Sequence, residues 1–215
     1  MSICLAITDA NWALTKDVFA VFGTVISFCG LLVAAYVGVG GLNTWRRQIR
    51  GQNDHDLALR MLAELYKFEM VLNASRAPGI YAHEVKLDAP QFAGGREGWF
   101  QRMELGFERR IEKISASFAA LSAMSLNAKA LWDFDIYDLL NNLQFLKDEY
   151  EEYVRLRLLC ADPFESGDEK LDFKNEMDMR RNVFKVAPDL SDEFGAELES
   201  AVKRIEILLS KKIIK

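Results

Sequence analysis

Apolar positions are distributed along this chain in two different ways. From Val18 to Leu42, "VFAVFGTVISFCGLLVAAYVGVGGL", they follow no period at all: 25 residues pass without a charge, interrupted by Thr24 and Ser27. As a helix this run measures about 38 Å, enough to cross a hydrocarbon core of about 30 Å with some tilt. A helix buried in a soluble domain rarely stays apolar on every face for so long, because one side normally meets water. A cleaved secretory signal fits poorly, since the run is too long and only Lys16 stands before it against Asp9 and Asp17.

After residue 53 the apolar positions become periodic. Leu57, Met61, Leu65, Phe68 and Leu72 recur at three- and four-residue steps and predict a helix from about Asp54, its cap, to Arg76. "APG" at 77–79 ends it, and a long segment with Pro78, Pro90 and "GGREG" follows to residue 98. Segments of that length inside a compact domain tend to be functional or mobile. Phe100, Met103, Phe107, Ile111, Ile114, Phe118 and Leu121 predict a second helix from Trp99. Ile136, Leu140, Leu143, Leu146, Tyr150 and Val154 predict a third over about 134–160. Residues 171–179, "LDFKNEMDM", alternate apolar and polar, and so allow a short β-hairpin with Val183–Val186 over 171–186. Asp189 or Ser191 is then expected to cap a last helix carried by Phe194, Leu198, Val202, Ile205 and Leu209. The fold class is therefore mainly all-α: a short N-terminus at 1–17, a membrane helix at 18–42, and a helical bundle at 43–215.

Charge adds orientation. Lys16 is the sole basic residue before the apolar run, whereas Arg46, Arg47 and Arg50 follow it directly. Basic flanks are retained in the cytoplasm, which predicts the N-terminus outside and the bundle inside. Trp12 and Trp45 fall near the ends, where indole rings favour the membrane interface. The whole chain carries a formal net charge of −5, which gives no global reason to bind nucleic acid. Cys4, Cys29 and Cys160 are scattered and predict neither a disulfide nor a metal site.

Candidate chemistry is sparse. The chain has no phosphate-binding loop ending in Gly-Lys-Ser/Thr, no His-Glu-x-x-His, no Gly-x-Ser-x-Gly and no Cys-x-x-Cys, so neither catalysis nor a cofactor is expected. Asp133, Asp135 and Asp138 suit a helix entry better than a cation cage. Arg50 precedes His55 with four residues between, and Arg76 precedes His83 with six. Both resemble the Arg-x4–6-His pattern of the HEPN ribonucleases. That resemblance implies an arginine holding an RNA phosphate while histidine exchanges a proton.

Two patterns point instead to assembly and to an anionic ligand. Gly23, Ser27, Gly30, Ala34, Gly38 and Gly41 form a ridge of small residues along the apolar helix. Such ridges let helices approach closely in lipid, although glycine is also common in membrane spans generally. One span cannot enclose water, so a conducting path would need several copies around an axis, with Trp45, Arg46, Arg47 and Arg50 at its inner mouth. Arg102, Arg109, Arg110 and Lys113 lie along the second helix, with Arg155 and Arg157 on the third, and Arg96 in "GGREGWF" adds an anion seat at a helix start. Each cluster is interleaved with glutamates, as a solvated face would be.

The order of parts, with "GLNTWRRQIRGQNDHDLALRMLAELYKFEMVLNASR" after the span and "DEFGAELESAVKRIEILLSKK" near the end, resembles single-pass membrane effectors of bacterial anti-phage defence. The nearest likeness is to the channel effector of the Hailong system, and a more distant one is to the accessory membrane protein of type VI-B CRISPR systems. The resemblance implies a homo-oligomeric inner-membrane channel. Its cytoplasmic domain would bind a nucleotide ligand, such as a short single-stranded DNA made by a partner nucleotidyltransferase. A membrane-tethered HEPN-like ribonuclease and a passive anchor for a cytoplasmic partner are the alternatives.

Overall fold

The computed structural model describes residues 9–85, 94–132, 136–185 and 191–213. Among the described residues six helices follow one another: α1 (Asp9–Ser75), α2 (Ala82–Val85), α3 (Gly95–Leu131), α4 (Tyr137–Ala161), α5 (Gly167–Asp178) and α6 (Glu193–Ile213). No strand occurs among the described residues. The chain divides into two compact units, Met1–Gln52 and Asn53–Lys215.

In the first unit, α1 is long and apolar enough to cross a membrane, and the most apolar stretch has none of its surface buried inside the protein. Every described side chain between residues 14 and 52 is exposed. The hydroxyls turn inward on their own helix: Thr24 donates to the Ala20 carbonyl at 2.9 Å, Ser27 to Gly23 at 2.8 Å and Thr44 to Gly40 at 3.0 Å. A polar group on a helix in hydrocarbon has no water to bond, and backbone carbonyls four residues earlier meet that need locally.

In the second unit the periodic stripes become one core. Met61, Leu65, Phe68 and Leu72 of α1 meet Phe107, Ile114 and Leu121 of α3, Leu143 and Val154 of α4, and Leu198, Ile205 and Leu209 of α6, all fully buried. Phe68 and Phe118 rings sit 5.5 Å apart, tilted by 59°, which joins α1 to α3 through an aromatic pair. Each fully buried leucine or phenylalanine contributes about 1.5–3 kcal/mol through the water it leaves. The stripes read from the sequence are thus the four bundle faces, with Leu57, Ile111 and Phe118 at their half-buried margins.

Four local expectations are corrected. The β-hairpin over 171–186 does not form. Ser166 instead caps α5 through a reciprocal box, its hydroxyl accepting from the Glu169 N–H while Glu169 accepts from the Ser166 N–H. Lys170, Phe173 and Met177, at steps of three and four, are the half-buried positions of α5, so the helical period wins over the alternation. Residues 183–185 pair with the end of α1, Lys185 donating its N–H to the Arg76 carbonyl at 2.9 Å. Asp54 does not cap a helix, because α1 runs through it; its carboxylate accepts from the Trp132 indole at 3.1 Å. The helix expected at Trp99 begins at Gly95, which has φ +73°. The cap of α6 is Asp192, which accepts from the Gly195 N–H at 2.9 Å; Asp189, Pro90, Asp133 and Asp135 lie outside the described residues.

The face assignment of α4 is testable with two positions only two residues apart. Leu143 is wholly buried and Phe145 is 72% exposed. Leu143→Ala is expected to lower unfolding stability by about 2–5 kcal/mol, and Phe145→Ala by under about 0.5 kcal/mol. Denaturant unfolding of the detergent-solubilised protein, followed by far-ultraviolet circular dichroism, measures both.

Candidate functional site

The chain leaves α1 at "SRAPGIYAHEV", and this turn is too poor in large apolar side chains to hold its own place. Polar groups hold it instead. Arg110, 3% exposed in α3, donates from Nε to Glu84 Oε1 at 2.7 Å. Its Nη1 donates to the carbonyls of Ser75 at 3.0 Å and Ala77 at 2.6 Å. Its Nη2 donates to the Gly79 carbonyl at 2.6 Å and to Glu84 Oε2 at 2.8 Å. All five N–H donors of the guanidinium are therefore engaged. Arg109 adds a bond from Nη1 to the Glu84 carbonyl at 2.6 Å, and the Tyr150 hydroxyl donates to Ser75 O at 2.7 Å. Gly106 completes the fit, since a Cβ there would overlap the Ile80 side chain.

The electrostatics agree with the geometry. Burial of Glu84 works to raise its pKa, but the hydrogen bonds from Arg110 and the Tyr81 N–H outweigh it and hold the carboxyl below its usual range. Tyr150 goes the other way: burial pushes its hydroxyl from 10.0 up to about 12, with Arg110 only partly opposing the rise.

Against this pinned turn lies a cleft of about 710 Å³. Tyr81 and Trp99, 56% and 52% exposed, stand at its walls, and Ile80, Val85, Met103 and Phe107 line its apolar part. Two arginines from different helices reach it, Arg102 of α3 and Arg157 of α4. Arg157 is held in place by donating to the Pro78 carbonyl at 2.9 Å, and its guanidinium lies 4.6 Å from the Phe184 ring centroid. The volume is within the range of about 300–1,000 Å³ typical of small-molecule sites.

The sequence-derived candidates separate on this framework. Arg102 lines the cleft and Arg109 braces its turn. Arg110 is part of the buried framework, so the reading of it as a ligand residue is corrected: no N–H remains to meet a ligand. Arg96 is exposed in the first turn of α3 and Lys113 is exposed two turns beyond Gly106. Arg102, Arg109 and Lys113 lie along one side of α3, at steps of seven and four residues. Trp45, Arg46, Arg47 and Arg50 are exposed in the first unit, as are Gly23, Ser27, Gly30, Ala34, Gly38 and Gly41, with open space around each glycine of that set. Arg157 belongs to the basic spread read from the sequence, whereas Tyr81, Trp99 and Phe107 carry no pattern that marks them as ligand residues. The one hint in the sequence is Tyr81 just after the Pro78-Gly79 turn.

The two Arg–His pairs differ in their surroundings. Arg76 is 1% exposed; its guanidinium donates to the Val183 carbonyl at 2.7 Å, to Asn73 at 3.2 Å and to Asp192. His83 is exposed and stacks on Tyr81 with centroids 5.7 Å apart, while His55 Nδ1 lies 3.1 Å from the Ile213 carbonyl. Among the described residues no group of three or more His, Cys, Asp or Glu side chains is placed to hold a metal ion.

Removing the hub should be costly in a graded way. Arg110→Gln leaves Glu84 half-buried without its cation and is expected to destabilise by about 3–5 kcal/mol, while Tyr150→Phe, which leaves Ser75 O bonded to Arg110, costs about 1 kcal/mol. Because the folded pKa of Tyr150 lies above its unfolded value, its contribution is present below pH 10 and is lost as pH rises toward about 12. Unfolding measured from pH 8 to pH 12 should therefore fall less steeply in Tyr150→Phe than in the parent. No family model matches this chain, no curated protein matches it, and no solved structure matches it.

Proposed function

We propose that the chain is a single-pass membrane protein whose copies assemble through the small-residue face of α1, and whose helical domain regulates an ion path along the shared axis. The observation that carries this reading is the state of residues 18–42. They are uncharged, their side chains all face outward, and no part of their own protein covers them. An apolar helix so exposed needs lipid, other copies of itself, or both. Gly23, Gly30, Gly38 and Gly41 have nothing within 4 Å of a Cβ position, leaving a groove into which a neighbouring helix can close. An axis lined by such helices would be apolar and would close by dewetting.

The basic flank Arg46, Arg47 and Arg50 supports an N-terminus outside and a helical domain in the cytoplasm. The exposed basic residues of α3, with Arg102 and Lys113 on one side and Arg96 in the first turn, support an anionic regulator. The resemblance to anti-phage effectors makes that regulator a nucleotide or short DNA, and the membrane the bacterial inner membrane. Catalysis is not part of this reading, and the burial of Arg76 among its own hydrogen bonds supports leaving out its pairing with His83.

Gly30→Leu with Gly38→Leu is expected to reduce the particle mass in detergent from an oligomer to a single chain; an unchanged oligomer overturns the packing claim. Expression of the parent in cells loaded with a voltage-sensitive dye should depolarise them once the regulator is absent, whereas a passive anchor leaves the potential intact. His55→Ala with His83→Ala should leave depolarisation unchanged, and loss of it would restore the ribonuclease reading.

A further inference from the structure

We infer that the cleft between the 78–82 turn, α3 and α4 is a binding site for an amphiphilic anion: a carboxylate or phosphate head on an extended apolar body. The inference concerns the helical domain alone and holds whether or not α1 conducts. Three observations lead to it. The first is sign. Arg102 and Arg157 both line the cleft, and its described lining residues include no carboxylate. A cation would enter against two guanidinium groups, whereas an anion would meet both.

The second is the nature of the walls. Ile80, Val85, Met103 and Phe107 offer only hydrocarbon and a thioether, with the Tyr81 and Trp99 rings beside them. Among the described lining side chains there is no amide and no serine or threonine hydroxyl. A base or sugar buried here would lose water from its polar edges and find few partners, at a cost for each unmet group. A hydrocarbon body has no such edge and gains from every apolar contact. The cleft therefore calls for a ligand different from the nucleotide considered above.

The third is that the site is built rather than incidental. The turn that forms one wall is fixed by the five bonds of Arg110, by Arg109 to the Glu84 carbonyl, and by Arg157 to the Pro78 carbonyl. A wall held from three side chains keeps its shape without a ligand, so little ordering cost falls on binding. The same Arg110 bonds the Ser75 and Ala77 carbonyls at the end of α1. Occupancy of the cleft would thus be felt at the end of α1 within the helical domain.

Two sources could supply such an anion, a free acid dissolved in the cytoplasm and an acid leaving the bilayer. The full chain in lipid nanodiscs is labelled with a decanoic acid bearing a diazirine, added either from water or preloaded in the bilayer, and adducts are mapped by peptide mass spectrometry. Adducts are expected within residues 78–82 and 99–107. Excess decanoate should suppress them about tenfold and decan-1-ol should not, since only the acid carries the charge. Arg102→Glu should lower their yield about fivefold in chains that keep the parent's helical content. The arm with the higher cleft yield identifies the source. Adducts confined to residues 18–42, or competition by decan-1-ol equal to that by decanoate, would overturn the assignment, whatever the voltage experiment shows.

Discussion

One guanidinium organises the second unit. The last carbonyls of any helix lack intrahelical donors, and α1 has no basic residue in its final turn to meet them. Arg110, arriving from α3, bonds Ser75 and Ala77 there, and Tyr150, from α4, shares the Ser75 oxygen. A cation near the negative end of a helix is favourable in itself, and here it is buried and paired with Glu84 as well. The end of α1, the turn after it, α2 and α3 are thereby tied through one side chain, and α4 joins them through Tyr150. The position of the candidate cleft depends on that knot, because one of its walls is the turn that Arg110 holds.

Arg76 does the complementary work one residue beyond α1. Its side chain bonds the Val183 carbonyl and Asp192, its own carbonyl accepts from Lys185, and its guanidinium lies 5.0 Å from the Phe194 ring centroid. This fixes the irregular stretch at 183–185 and the entry to α6 against the end of α1. Both arginines are in the interior, yet neither lacks a partner, which is the condition for a buried charge to be tolerated. Helices in this unit are placed by hydrocarbon stripes, and the segments between them by arginine.

The first unit follows a different pattern. Its helix has no hydrophobic stripe because it has no polar face, and its hydroxyls bond its own backbone. In water such a surface would be an aggregation liability; in hydrocarbon it is neutral, and contact between helices is then decided by how closely backbones can approach.

What the sequence determined by itself was everything governed by periodicity. The uncharged run, the stripe from Met61 to Leu72, the α3 and α4 stripes and the whole of the α6 stripe are read directly from spacing, since burial of every third or fourth residue leaves a regular trace. Short-range chemistry is also present in the sequence but escapes a reading by periodicity: the Ser166 and Glu169 box outweighs the alternation at 171–179 that suggested strands. The tertiary structure alone decided which arginines are interior and which are surface. Arg109 and Arg110 are neighbours in sequence, but a helix turns by about 100° between them, and only the packing of the 77–85 turn against α3 makes one a brace and the other a buried hub. The cleft was invisible for the same reason. Tyr81, Trp99, Met103 and Arg157 come from three elements far apart in the chain, and no local pattern records that they meet.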